Sequence, residues 1–220
     1  MPAPERQVKQ AVSFPVAGRE VLGVLHLADG EAIGGALVLH GWGGGPDQPH
    51  VVATCEALAA AGIATLRFAF RDHEPPTMTL DTALEDAAAA LRLLRAHEQV
   101  GDRIAAVGFS FGGAVAARVA GRDHRIRGVI LAAAPAAFQG DRRSLVEITR
   151  TRAKVMLLWG SRDTTVPPTD AERYAAVLSQ ARVNHRIVTI DGGDHDFAPA
   201  AARAAMTEVV AAFVRECLIV

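Results

Sequence analysis

The five residues Gly108-Phe109-Ser110-Phe111-Gly112 form a Gly-x-Ser-x-Gly pattern between an apolar run typical of a strand and an Ala-rich run typical of a helix. Glycines two residues on either side of the serine permit a sharp turn without Cβ clashes. Such a turn pushes the hydroxyl out of the sheet and leaves the next backbone N–H at the positive end of the new helix. Ser110 is therefore a candidate nucleophile, unless the glycines form an ordinary turn around a buried serine.

Two later segments offer partners for this serine. Asp163 follows the apolar run that ends at Trp159, and His195 follows an apolar run over residues 185–190. In a parallel sheet, the loops after the strands' carboxyl ends meet at one edge, which would bring these side chains together. A histidine can remove the serine proton, and an aspartate can orient the imidazole. Asp191 and Asp194 are alternative acids, but they lie too close in sequence to His195 to match the separate loop that usually carries the acid.

Other chemistries are less well supported by the sequence. Asp191, Asp194, His195 and Asp196 could be metal ligands, but no second His or Cys stands at a recognised spacing. The glycines at 43–45 do not complete a Gly-x-Gly-x-x-Gly motif, and no Lys-Ser or Lys-Thr closes a phosphate-binding loop. We therefore expect neither a metal nor a cofactor.

Strand-like and helix-like segments alternate along the chain, which is typical of a parallel sheet covered on both faces. A Thr82–Glu85 capping box predicts a helix start near Thr82. The sequence predicts an α/β fold: a doubly wound, mostly parallel sheet of about eight strands with helices on both faces and an antiparallel N-terminal hairpin. The predicted strands are 8–14, 21–27, 36–40, 63–68, 103–107, 129–132, 155–159 and 185–190, and the predicted helices are 51–61, 82–94, 113–120, 171–178 and 199–215.

Composition narrows the class of protein. The 220 residues are 50% hydrophobic and 21% charged, which suits one domain over residues 1–220. A net charge of -1 without like-charge runs gives no electrostatic basis for binding nucleic acid or a membrane. Residues 1–6 show no signal-peptide pattern, and Cys55 and Cys217 lie far apart. We expect a cytoplasmic monomer or homodimer whose partner is a small-molecule substrate.

Taken together, these motifs resemble the α/β-hydrolase superfamily over nearly the whole chain. Residues 108–112 look like its nucleophile elbow, 160–167 like its acid loop and 194–197 like its histidine loop, while His40-Gly41-Trp42-Gly43-Gly44 is similar to its oxyanion loop. The compact size is similar to small capless serine esterases and to the dienelactone-hydrolase-like or serine-peptidase-like branch. Dienelactone hydrolases usually carry cysteine where this chain has Ser110.

The resemblance implies a catalytic triad of Ser110, Asp163 and His195, and an oxyanion hole built from the backbone N–H groups of Trp42 and Phe111. It also implies a carboxylesterase-like serine hydrolase that cleaves small esters or thioesters through an acyl-enzyme. Two alternatives remain open. One is a catalytically inactive α/β-hydrolase-fold binding or scaffold protein; the other is a peptidase or lactone hydrolase.

The sequence indicates substrate preference less clearly than it indicates the catalytic residues. Trp42 and Phe138 are predicted to bind substrate as parts of an apolar wall. Phe111 and Phe109 are further candidates for this wall, and the alternative for Phe109 is a place in the core. Only a short segment, with a candidate helix running through residue 152, separates Pro135 from the strand that follows, so we expect an open site without a large cap. Four arginines near this segment either attract an anionic substrate or form a solvated helix face: Arg142, Arg143, Arg150 and Arg152.

Overall fold

The structure is a computed structural model that describes residues 8–28, 30–72 and 77–219. Residues 1–6, where the sequence shows no signal-peptide pattern, lie outside these ranges.

The described residues form one eight-stranded sheet in the order β1-β2-β4-β3-β5-β6-β7-β8. The first three strands in that order pair antiparallel, and all later neighbours pair parallel. This arrangement confirms the predicted α/β class and its N-terminal hairpin. The strands are β1 Val8–Val16, β2 Arg19–Leu27, β3 Gly34–Leu39, β4 Ile63–Phe68, β5 Ile104–Phe109, β6 Ile126–Ala132, β7 Lys154–Gly160 and β8 His185–Ile190.

Helices cover both faces of the sheet, as predicted. Helices α1 and α6 pack together over one face, and α2, α3 and α5 contribute to the apolar core on the other. The helices are α1 Pro49–Ala60, α2 Leu80–Ala96, α3 Phe111–Arg122, α4 Arg143–Glu147, α5 Thr169–Gln180 and α6 Ala200–Leu218. None of the helices in the described ranges is long and apolar enough to span a membrane.

The hairpin turn lies where the sequence places it. Ala17 and Gly18 have φ values of 49° and 76°, the left-handed pair that matches the twist of a two-residue hairpin. Both flanking strands extend further toward the turn than predicted, so Arg19 belongs to β2.

The predicted start of α2 at Thr82 is wrong. The helix begins at Leu80, and Thr79 is its N-cap: its side chain accepts a hydrogen bond from the backbone N–H of Thr82 at 3.2 Å. Thr79 has an extended backbone that suits a cap, whereas Thr82 already lies in the first turn. Glu85, the proposed partner in the capping box, instead forms an ion pair with Arg71.

The segment between β6 and β7 is short, as predicted. It contains the five-residue helix α4, followed by a 3₁₀ turn over Ile148–Arg150. The predicted helix through residue 152 is therefore divided, and it ends before Thr151, whose backbone is extended.

The central strands β3 and β5 pair in parallel, so the loops after both strands emerge at the same edge of the sheet. At this edge, α3 begins so close to the end of β3 that a Cβ atom on Gly112 would lie 2.5 Å from the carbonyl oxygens of Leu39 and His40. Only glycine fits this backbone crossing without displacement, because both opposing atoms belong to the backbone.

We predict that Gly112→Ala lowers the free energy of unfolding by roughly 1–3 kcal/mol or more, since the added methyl group has no room. Gly45→Ala is the matched control, because a Cβ atom there meets nothing within 4 Å. Urea unfolding of the two variants measures the difference. Equal stability of the two variants would contradict the crossing described here.

Candidate active site

Ser110 lies between β5 and α3, on a turn that strains its backbone. Its φ of 51° and ψ of -120° are unusual for a residue with a side chain. Two hydrogen bonds hold this conformation: the Ser110 N–H donates to the Ala132 carbonyl at 2.7 Å, and the Gly113 N–H donates to the Ser110 carbonyl at 2.9 Å. The side chain consequently projects into a cleft at the edge of the sheet.

The flanking glycines are needed for close approach rather than for a left-handed backbone, since φ is positive at neither Gly108 nor Gly112. A Cβ atom on Gly108 would lie 2.1 Å from the Gly112 carbonyl oxygen. The serine itself therefore carries the backbone strain, and the glycines remove the side chains that would obstruct the turn.

Asp163 and His195 meet as the sequence predicts. Asp163 follows β7, and its Oδ2 atom lies 2.9 Å from Nδ1 of His195. Its Oδ1 atom accepts the backbone N–H groups of Thr165 at 2.8 Å and Val166 at 3.0 Å. The carboxylate is fully buried, while the His195 side chain remains 16% exposed. Asp163 is thus fixed by three hydrogen bonds, and one of these orients the imidazole.

The acid and histidine loops are held together by a contact between their backbones. A Cβ atom on Gly160, at the end of β7, would lie 2.3 Å from the Gly193 carbonyl oxygen. The two alternative acids bond elsewhere: Asp191 accepts the Ser161 hydroxyl at 3.3 Å, and Asp194 accepts the Ala198 N–H at 2.8 Å. Asp163 is therefore the carboxylate that bonds the ring of His195.

Burial and neighbouring groups shift the pKa values of His195 and Asp163 in opposite directions. Burial opposes the charge on the imidazole, but the hydrogen bond and charge of Asp163, together with the charges of Asp196 and Asp194, raise the pKa of His195 above its ordinary value. Burial also opposes the charge on Asp163, yet the hydrogen bonds from His195, Val166 and Thr165 lower its pKa. Each group stabilises the charged form of the other.

The loop after β3, residues 41–48, closes the other side of the cleft. A Cβ atom on Gly41 would lie 3.4 Å from the Ser110 Cβ atom, so this backbone passes directly beside the serine. The buried His40 fixes the loop's start: its Nδ1 lies 2.8 Å from the Gly41 carbonyl, and its Nε2 accepts the Phe70 N–H at 3.3 Å. Phe111 is the first residue of α3, and N–H groups in a first helical turn have no intrahelical partner.

The cleft between these loops has a volume of about 370 Å³. It brings together Ser110, His195, Trp42 and Phe138, which the sequence had placed in four separate segments. Its lining residues are Gly41, Trp42, Gly43, Gly44, Gln48, Ser110, Pro135, Phe138, Thr165, Val166, His195 and Asp196.

Comparison with known proteins places this chain in a family. A family model described as an alpha/beta hydrolase domain matches residues 34–217, which is most of the chain. The chain belongs to the α/β-hydrolase family. No curated protein matches it at a significant level.

Solved structures share the fold of this α/β hydrolase at low sequence identity. Est1E from Butyrivibrio proteoclasticus is 20% identical with a TM-score of 0.81, and the match covers 96% of this chain and 99% of that one. A dienelactone hydrolase from Anabaena variabilis is 19% identical with a TM-score of 0.82, with coverage of 96% and 98%. An esterase domain from Rhodothermus marinus is 22% identical with a TM-score of 0.78, with coverage of 96% and 99%.

Of the four candidate aromatic residues, two line the cleft of this α/β hydrolase. The rings of Trp42 and Phe138 meet edge to face, 5.9 Å apart, and Trp42 is 42% exposed. Phe111 is buried beneath Phe138, 4.8 Å away. The Phe109 ring is also buried, against His50 at 4.7 Å, so the suggestion that Phe109 and Phe111 line the apolar wall is wrong.

The arginines before β7 do not line the cleft. Arg143 forms ion pairs with Asp141 and Asp81, and its exposed side chain fits the solvated-face interpretation. Among the described residues, no group of three or more His, Cys, Asp or Glu side chains is arranged to hold a metal ion.

Several cleft residues escaped the sequence analysis: Gln48, Pro135, Thr165 and Val166. Gln48 and Pro135 lie in the loops after β3 and β6, whereas Thr165 and Val166 lie within residues 160–167, the segment that resembles the acid loop. Their position after strands that end at the candidate site was the feature that could have indicated them. Nothing in their residue types indicated a role.

We predict that the His195 imidazole titrates above its ordinary value of 6.5, whereas buried His26 and His50 titrate near 4 because burial disfavours their charged forms. NMR titration of the ring protons separates the three residues. In Asp163→Asn the pKa of His195 falls, because the stabilising negative charge is gone. A wild-type His195 that titrates at or below 6.5 would contradict this electrostatic description.

Proposed function

We propose that this protein is a serine hydrolase that cleaves small carboxylic esters or thioesters through an acyl-enzyme. The observation that carries the proposal is the fully buried Asp163 carboxylate bonded to His195, which lines the same cleft as the strained Ser110. A structural turn serine needs neither a neighbouring imidazole nor a buried acid to orient that imidazole. A binding or scaffold protein needs neither of them, which makes catalysis the better explanation.

The first chemical step follows from the tautomer of His195. Asp163 Oδ2 accepts a hydrogen bond from Nδ1–H, which leaves the Nε2 lone pair available as a base. His195 Nε2 would take the proton of Ser110 Oγ as that oxygen attacks the substrate carbonyl carbon. The carbonyl π electrons move to its oxygen, which becomes the oxyanion of a tetrahedral intermediate. Asp163 stabilises the imidazolium that forms.

The oxyanion would be received by the backbone N–H groups of Phe111 and Trp42. Phe111 begins α3, where the helix dipole favours negative charge, and Trp42 follows Gly41 in the loop beside Ser110. Each such donor is worth on the order of 3 kcal/mol in the transition state. These contacts act on developing charge, so they raise kcat more than they tighten substrate binding.

Collapse of the intermediate breaks the bond to the leaving group, which takes a proton from His195 Nε2. Water then attacks the acyl-enzyme, with His195 accepting one of its protons. The second tetrahedral intermediate releases the carboxylic acid and returns the proton to Ser110 Oγ. None of these steps needs a cofactor.

Small carboxylic esters suit the cleft better than long acyl chains. Trp42, Phe138 and Pro135 offer apolar surface near Ser110, and the segment between β6 and β7 contains little regular structure beyond α4. A related structure is described as Est1E with ferulic acid bound, so the shared fold accommodates a small carboxylic acid in that protein.

We predict that a fluorophosphonate probe labels the wild-type protein and that Ser110→Ala abolishes both labelling and ester hydrolysis. The hydroxyl supplies chemistry rather than core packing, so the melting temperature should stay nearly unchanged. Ser179→Ala, at an exposed helical position on α5, is the control and should be labelled like the wild type. Labelling that persists in Ser110→Ala, or a wild type that neither labels nor hydrolyses a panel of esters, thioesters and lactones, would refute the proposal.

Acyl-chain preference tests the open cleft. Each fully buried methylene contributes about 0.8 kcal/mol, so an enclosed channel would raise kcat/KM over many added carbons. We predict that p-nitrophenyl esters of about two to six acyl carbons are preferred. If kcat/KM rose steadily to long-chain esters, measured below micelle formation, the site would have to contain an enclosed acyl channel.

A further inference from the structure

An arginine lies in the interior beneath the loop that would supply the oxyanion hole. Arg67 is on β4, a strand whose six residues are all buried, and its side chain is only 8% exposed. Burying a guanidinium costs several kcal/mol unless its hydrogen bonds are satisfied. An apolar residue would fill this strand position at lower cost, so the contacts of Arg67 indicate what it does.

These contacts lead to the far end of the oxyanion loop. Arg67 Nη1 donates to the Pro46 carbonyl at 2.9 Å and forms an ion pair with Asp47. Arg67 Nε donates to His26 Nε2 at 3.0 Å. One planar side chain therefore joins β4, β2 and residues 46–47, with geometry that a single ammonium group could not reproduce.

His26 acts here as a neutral hydrogen-bond acceptor. Burial, together with the charges of Arg67 and Lys9, lowers the pKa of His26 to about 4, although Glu56 acts in the opposite direction. Its Nε2 lone pair is thus available at neutral pH and fixes the orientation of the guanidinium. The Nη1 group of the same guanidinium then points to residues 46–47 of the loop.

The loop itself contains few strong internal bonds. The Gly44 N–H donates to the Gly41 carbonyl at 3.2 Å, and the Gln48 N–H donates to the Gly45 carbonyl at 3.3 Å, both at the long end of hydrogen-bond distances. His40 holds the start of the loop through the Gly41 carbonyl. At the far end Arg67 bonds residues 46–47, and the Val52 N–H of α1 donates to the Gln48 carbonyl at 3.0 Å. The loop is clamped at both ends, with Trp42 between the clamps.

We propose that Arg67 is a positioning residue that holds loop 41–48 so that the Trp42 N–H faces the oxyanion. This inference rests on the proposed serine-hydrolase function. Arg67 does not line the cleft, and it acts through the carbonyl of Pro46. The Asp47 side chain is 83% exposed, so water screens that ion pair, and the part-buried hydrogen bond to the Pro46 carbonyl is the better shielded anchor.

The test compares Arg67→Met and Arg67→Lys with the control Arg118→Met. Arg118 is also a buried arginine, 1% exposed at its side chain, but it bonds Asp81 and Glu147 away from the cleft. We expect Arg67→Met to lower kcat for p-nitrophenyl acetate by about 10- to 100-fold through misplacement of the oxyanion donor. KM should change by less than about threefold, since ground-state contacts persist. Affinity for an alkylboronic acid, which mimics the tetrahedral intermediate, should fall by the same factor as kcat.

Arg67→Lys keeps the cation and most of the aliphatic stem, and it remains the informative variant if Arg67→Met does not fold. We expect its kcat to lie between those of the wild type and Arg67→Met. Asp47→Ala should stay within about twofold of the wild type, because that carboxylate is screened. Arg118→Met should have a lower melting temperature but an unchanged kcat. This control separates an effect on loop position from a general loss of stability.

Amide hydrogen exchange of residues 42–45 provides a readout that does not depend on activity. Exchange there should become faster in both Arg67 variants and stay unchanged in Arg118→Met. Unchanged exchange together with wild-type kcat in a folded Arg67 variant would overturn the inference while leaving the serine-hydrolase proposal intact. A wild type that neither hydrolyses esters nor labels at Ser110 would instead refute the proposed function, and the positioning role of Arg67 with it.

Discussion

The site depends on the close backbone crossing where β5 turns into α3 beneath the end of β3. Gly112 passes so near the carbonyl oxygens of Leu39 and His40 that no side chain fits, and Gly108 has the same constraint against Gly112. This crossing brings the start of α3 and the loop after β3 to the two sides of Ser110. A looser turn would separate the candidate nucleophile from both candidate oxyanion donors, because those donors belong to the two elements that cross.

Packing and electrostatics support this crossing from both sides. The contact between Gly160 and Gly193 holds the acid and histidine loops together, so the Asp163–His195 hydrogen bond joins two loops whose backbones already touch. Three hydrogen bonds lower the pKa of Asp163, although its side chain is completely buried. On the opposite side, His40 and Arg67 fasten loop 41–48 to the sheet. The proposed catalytic groups therefore lie in loops, but their positions are set by the strands.

Much of this arrangement could be predicted from the sequence, because apolar runs fix the strands and the polar motifs follow them. The fold class was predicted correctly, and the predicted Asp163–His195 pairing is observed in the structure. The α2 start was wrong because Thr79 and Thr82 are both acceptable caps, and backbone conformation decides between them. Phe109 and Phe111 could not be assigned to core or cleft, since they flank Ser110 and only the turn geometry directs their rings. Arg67 could not be recognised from its sequence position, because its proposed role depends on contacts with β2 and with a loop 20 residues away in sequence.

The central claim is that Ser110, activated by His195, becomes covalently acylated during turnover. The most direct measurement is mass spectrometry of protein quenched in acid during steady-state hydrolysis of p-nitrophenyl acetate, followed by peptide mapping. We expect one acetyl group on Ser110, and we expect it to disappear once the substrate is exhausted. Turnover without any acetylated peptide under conditions where deacylation limits the rate, or acetylation at another residue that is chased at the turnover rate, would contradict it.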